Sequence, residues 1–377
     1  MRTGLLSASL AMAVGVSALP SPQVMAGSLP ELAAKLSGEA STLLTDLING
    51  VAKALPAEAF KTQYSHTPVP IEEARAALEH YTFNMSEVIG SGKYDKRQSA
   101  QRCANPTIYI EWDRSNDDQR QKYFDAFKCL MSRPPSGQFA ASKSRYEDLT
   151  ALHQTLTPNV HDNGKFLPWH RAFIQLLRRL MHDECGYNGP MIWFDETRYA
   201  GRFAQSSLFS SKWLGSLGIN GRCVTDGQFA NLICNVGPGT SDQPHCLSRN
   251  GDGSVTKNCN QEYVDICNQY PDWAGMTRCS FSGVHGFGHN GIGGPMADVQ
   301  ASPCEPFFYF HHHFIDRNAR IYTNSNPQWL SQTNGVDAFG NALTLDTKVN
   351  TMGMMPDLTI RDLLDTQSVP LCYRYDY

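Results

Sequence analysis

The chain has no long basic run, no CxxC pair, no internal repeat and no low-complexity tract, and past residue 18 it has no apolar run long enough to span a bilayer. Each absence removes a class of function. A formal charge of -4 over 377 residues, with a pI of about 6.3, provides no cationic face for nucleic acid or an anionic membrane surface. The expected partners are therefore small or neutral molecules. The missing CxxC sets aside the paired-thiol motifs, and the scarcity of period-two alternation argues against a β-rich core. What remains is a globular chain whose 41% hydrophobic residues can bury a sizeable core.

The N-terminus begins Met1-Arg2-Thr3-Gly4, continues apolar or small over residues 5–18, and closes on Val16-Ser17-Ala18. A positive start, a short apolar stretch and a small-residue cleavage site predict a signal peptide over 1–18 and an extracellular, secreted protein. Eleven cysteines fit that compartment: Cys103, Cys129, Cys185, Cys223, Cys234, Cys246, Cys259, Cys267, Cys279, Cys304 and Cys372 allow five bridges with one thiol left over. Sequence alone does not give the pairing. The cysteines between 223 and 279 lie in a Gly/Asn/Asp-rich stretch with little core of its own, where crosslinks offset a weak hydrophobic driving force. Asn84-Met85-Ser86 is a glycosylation sequon. Residues 19–66 read as an N-terminal extension or propeptide, and residues 67–377 as the functional domain.

Helical periodicity dominates that domain. Residues 72–83 follow a proline break at Thr67-Pro68-Val69-Pro70. Ser115 is placed to cap a helix carrying Tyr123, Phe124, Phe127, Leu130 and Met131, stopped by Pro134-Pro135. A second helix is predicted over residues 142–153, ending at His153. The clearest begins near Pro168 and carries Phe173, Leu176, Leu177, Leu180 and Met181 until Gly186. Another starts at Pro306 and aligns Phe308, His312, Ile315, Asp316 and Ala319. The expected fold is mainly α, a four-helix-bundle core with long disulfide-stapled loops and little β.

The twelve histidines are unevenly placed. His153, His161 and His170 share one stretch, and His285, His289, His311, His312 and His313 another, leaving His66, His80, His182 and His245 elsewhere. A lone helical histidine is ordinarily a core or surface residue. Two clusters on separate amphipathic helices are a different matter. His285 and His289, four apart, lie on one helix face about 6 Å apart along the axis, and His312 on the inward stripe completes a set. His170 points into the bundle with Phe173 and Leu177, joined by His153 and His161. Imidazole-only sets suit copper, zinc, iron or nickel. Three neutral histidines per ion support both Cu(I) and Cu(II), whereas zinc has no redox chemistry. Arg171 and Asp316 are candidates either to orient the ligand rings or to pair helix to helix.

Phe166-Leu167-Pro168-Trp169-His170-Arg171, and Phe308-Tyr309-Phe310-His311-His312 followed by Asp316-Arg317, resemble the two copper signatures of the tyrosinase family, which includes catechol oxidases and haemocyanin domains. The likeness extends from Cys103-Ala104-Asn105 through Glu184-Cys185-Gly186-Tyr187 to Tyr373-Arg374-Tyr375, and is strongest to short fungal extracellular catechol oxidases and tyrosinases. It implies two copper ions. His153, His161 and His170 would hold one, and His285, His289 and His312 the other, with His312 chosen by its distance from Asp316-Arg317. Phenolic substrates and O2 would be the partners, and Gly286, Asn290 and Val299 the pocket.

Three departures shape the expectation. Many tyrosinases carry an asparagine after the first histidine of the second set and a glutamate shortly before it, holding a water that deprotonates monophenols. Here the first position is Gly286, and no Asp or Glu lies between Asp272 and His285. The general base for phenol hydroxylation has no evident holder. The residue two before His161 is Asn159, so no thioether crosslink is expected. The usual Trp-Asp-Trp appears as Phe194-Asp195-Glu196, and Gly283, Gly286, Gly288, Gly291, Gly293 and Gly294 crowd the second histidine pair, weakening a helix by about 1 kcal/mol at each interior site. The resemblance therefore implies oxidation of o-diphenols to o-quinones with O2 reduced to water. The alternatives are a tyrosinase that hydroxylates monophenols, an o-aminophenol oxidase or, more distantly, a haemocyanin-like O2 carrier.

Overall fold

Proline, capping side chains and apolar stripes set the helices of the computed structural model, which describes residues 52–61, 67–83, 88–90 and 101–377. The expected signal peptide, the sequon and most of the expected 19–66 extension lie outside the described residues. Helix α1 (Ile71–Glu79) follows Pro70. Helix α2 (Asp117–Ser132) starts at a capping box in which Asn116 and Gln119 satisfy each other's backbone N–H. Ser115 does not cap it as expected, because its hydroxyl donates to the Trp112 carbonyl at 2.6 Å.

Helix α3 (Arg145–Val160) is capped by Ser144 and runs well past His153. Pro158 falls in its last turn, where it forfeits one backbone bond and the helix ends two residues later. The predicted stop at 153 is thus corrected: His153 sits mid-helix and His161 is the C-cap. Helix α4 (Phe166–Cys185) ends as expected on Gly186, whose φ of 68° lets its N–H reach the His182 carbonyl. Its stripe Phe173, Leu176, Leu177, Leu180 and Met181 is fully buried, each side chain contributing about 1.5–3 kcal/mol.

Helices α5 (Gln261–Asn268) and α6 (Trp273–Ser280) lead through a π-type turn, Phe281–His285, into α7 (Gly286–Ile292). Helix α8 (Phe307–Ser325) carries the His311-His312-His313 run. Helix α4 is central, packing on α2, α3 and α8, and the fold is mainly helical. A small parallel sheet closes one side: β1 (Thr107–Glu111) lies between β2 (Ile192–Trp193) and β3 (Tyr373–Tyr375), with Ile110 opposite Ile192 and Tyr109 opposite Tyr375.

Five disulfides join Cys103 to Cys372, Cys129 to Cys185, Cys223 to Cys246, Cys234 to Cys304 and Cys267 to Cys279; Cys259 is free and buried. Two of them tie helix to helix, α2 to α4 and α5 to α6, the others pin loops, and together they point to an oxidising compartment. Arg249 adds a buried two-pronged ion pair to Glu305, at 2.7 and 2.8 Å, just before α8. Among the described residues no helix is long and apolar enough to cross a membrane.

Candidate metal centre

Helical geometry orients three of the site histidines. A histidine ring can turn its Nδ1–H toward the carbonyl one turn earlier, which leaves Nε2 pointing away from the helix. His161 donates in this way to Thr157, His170 to Phe166 at 2.8 Å, and His285 to Phe281. Loops supply the acceptor twice: His153 Nδ1 bonds the Gln300 carbonyl at 2.9 Å and His289 Nδ1 the Met296 carbonyl at 2.7 Å. Gln300 and Met296 were missed in the sequence, where a main-chain acceptor leaves no mark.

The rings gather into two buried groups, His153, His161 and His170 in one and His285, His289, His311 and His312 in the other, each with its ligand atoms within 4.8 Å of one another. All six histidines expected to bind metal are brought together in these groups, and His311 joins the second. His313 turns away to pack on Tyr109 and Tyr375. The groups abut: the rings of His170 and His312 stack at 4.5 Å, and Phe308 is wedged between His153, His289 and His312.

Within each group two Nε2 atoms stand 3.3 Å apart, His153 to His170 and His289 to His312. Two bonds of about 2.0–2.1 Å meeting at a tetrahedral angle would place nitrogens about that far apart. Burial holds His161 down at about 4, and burial, aided by the facing rings of His170 and His311, drives His312 well below its ordinary value. These rings are neutral at pH 7, with lone pairs available to a cation. The donor set thus fits a soft-to-borderline redox metal in both groups.

The glycines explain themselves through packing. At Gly283 a Cβ would lie 2.1 Å from the Tyr263 ring, and at Gly291 2.3 Å from Thr256. The irregular turn before His285 is therefore clamped by neighbours that need the missing side chains. Gly283→Ala is expected to cost about 1–3 kcal/mol through overpacking. A thermal melt several degrees lower, with weaker copper retention, checks this; an unchanged melt would show that Tyr263 yields freely.

Arg171 and Asp316 do not touch the ligand rings. Their buried ion pair, 2.5 Å long, joins α4 to α8. Asp316 also accepts from Tyr373 and Tyr375 at 2.5 and 2.7 Å. Burial first and the Asp316 carboxylate second push both phenols well above their usual range, so they remain donors. Of the pocket candidates, Gly286 is buried beneath Pro68, which would lie 3.3 Å from an added Cβ; Val299 is buried next to Gln300, and Asn290 is partly exposed on α7.

Residues 143–325, which contain both histidine groups, match the family model described as the common central domain of tyrosinase. The chain belongs to the tyrosinase family. Its two histidine groups form a dinuclear copper site, and the protein is a copper-dependent phenol oxidase of that family. It is 27% identical over 334 residues to "Tyrosinase P" of Aspergillus terreus, covering 73% of this chain and 94% of that one. It is 28% identical over 345 residues to an N-acetyl-6-hydroxytryptophan oxidase of Emericella nidulans, with the same coverage. In fold it is similar to a polyphenol oxidase from Thermothelomyces thermophila, solved as a glycine-to-asparagine mutant, with a TM-score of 0.66, 24% identity, and 74% of this chain and 91% of that one covered.

Proposed function

We propose that this tyrosinase-family chain is a secreted catechol oxidase, which converts two o-diphenols and one O2 into two o-quinones and two waters. His153, His161 and His170 hold one copper, and His285, His289 and His312 the other. When bound, the copper pair supplies the electron exchange with O2. The protein supplies placement: each of these rings but His312 is fixed at Nδ1 by a main-chain carbonyl, and Phe308 keeps the floor between the groups apolar.

The choice of diphenols over monophenols rests on one observation: no carboxylate of the π turn or α7 is available to deprotonate a phenol near His285. Gly286 has no side chain to hold a water, and no acid lies between Asp272 and His285. Asp272 is committed as the cap of α6, accepting from Gly275, Tyr81 and Asn334. A positioned base contributes about 10²–10⁴-fold to such a proton transfer. Initial oxygen uptake on a monophenol is therefore expected to be at least about 100-fold slower than on the matching catechol. Comparable rates without a lag would identify a true tyrosinase. Uptake that stops at one O2 per copper pair would identify a carrier.

A further inference from the structure

Residues 67–70 run as a strap over the turn that carries His285. The Val69 N–H donates to the Ser282 carbonyl at 2.8 Å, and the Val69 carbonyl accepts from the Tyr263 hydroxyl at 2.7 Å. Both main-chain groups of Val69 are thus spent on the π turn and on α5, whose Tyr263 ring also fills the space left by Gly283. Pro68 then lies on Gly286: a Cβ there would stand 3.3 Å from Pro68 Cγ and 3.6 Å from Pro68 Cβ. The chain is anchored on both sides of the strap. Ahead of it, Phe60 is buried against His245, and the Lys53 carbonyl accepts from the Cys246 N–H at 3.0 Å. Behind it, Arg75 pairs with Glu262 on α5, and the Tyr81 hydroxyl donates to Asp272 at 2.9 Å.

This strap borders the way in to the ligand rings. Of the six rings assigned to copper, His161 is the most exposed, at 8%, and the other five are at 3% or less. Phe281, partly exposed, lies 6.2 Å from the His161 ring and stacks on His285 at 5.3 Å. Ser282, which holds Val69, is the next residue. A phenol that enters past Phe281 therefore meets the Pro68 ring beside His285, where Gly286 offers no side chain. We propose that Pro68 is a specificity-determining residue, the wall that limits the size of the ring substituent on a bound o-diphenol. The inference rests on the catechol oxidase reading. A proline ring has a fixed φ and no N–H to donate, so the wall is stiff and apolar. It sorts substrates by bulk alone.

The test is initial oxygen uptake by the copper-loaded full chain on catechol and on 4-tert-butylcatechol, giving kcat/KM for each. One methylene at an apolar wall is worth about 10–200-fold in such a comparison. Pro68→Ala removes two ring carbons and is expected to raise the ratio of 4-tert-butylcatechol to catechol by about tenfold, mostly through KM, at unchanged copper content. Pro68→Val returns two carbons without the ring and should restore most of the wild-type ratio. An unchanged ratio in Pro68→Ala overturns the proposal. So does a Pro68→Val ratio that follows Pro68→Ala, since the effect would then come from a slack backbone and not from bulk. A copper-loaded wild type that oxidises neither catechol overturns the catechol oxidase reading, and this proposal with it.

Discussion

Replacing His289 with alanine leaves about one copper per chain and reduces oxygen uptake on catechol to background. The ring is locked on one side by the Met296 carbonyl and faces His312 Nε2 at 3.3 Å on the other, in a wholly buried setting. No water-exposed group can replace it, and a metal-binding free energy spread over few nitrogens does not survive the loss of one. A single remaining copper could exchange only one electron at a time, where the pair would supply two. His170→Ala should empty the other position in the same way. His182→Ala, on the exposed side of α4, should change neither copper content nor rate. Metal analysis beside oxygen uptake checks all three; two coppers and normal turnover in His289→Ala would sink the ligand assignment.

Asp316→Ala is expected to lose stability rather than copper. It strands the buried Arg171 guanidinium, whose other partners are the Leu363 and Leu364 carbonyls, and deprives two buried tyrosine hydroxyls of their acceptor. Breaking a buried pair in this way costs about 3–5 kcal/mol, roughly 10 °C in melting temperature for a domain of this size. Because Asp316 bonds Arg171 and the two tyrosines and no ligand ring, copper stoichiometry in the cold should remain that of the wild type. Asp316→Asn, which keeps an acceptor for one tyrosine, should fall between. A normal melt with weakened copper binding would reverse the roles and make Asp316 an orienter of rings.

Much of this was legible in the sequence, for identifiable reasons. The stripe on α4 is long, regular and closed by a glycine, so periodicity finds it. His285 and His289 stand at helical spacing and the other site histidines cluster near them or near one another in the chain, and the count of eleven cysteines allowed five bridges and a spare thiol, though not which pairs. The second half of α3 was hidden because Thr155, Thr157, Pro158 and Asn159 are poor helix formers, and packing around Leu152 and Val160 overrides them. The π turn at Phe281–His285 was visible only as an excess of glycine, whose cause, the Tyr263 ring, comes from α5. Glu196 showed itself as a departure from Trp-Asp-Trp, but nothing in the chain order says that it meets His311, 115 residues away.

The latching of ring after ring to main-chain carbonyls bears on electron transfer. A cage fastened to backbone in this way, and braced by helices that Asp316 ties together, has little room to relax when the charge inside it changes by one unit. The energy spent on rearranging surroundings at each redox turnover is then small, and the two oxidation levels are served by nearly the same shape.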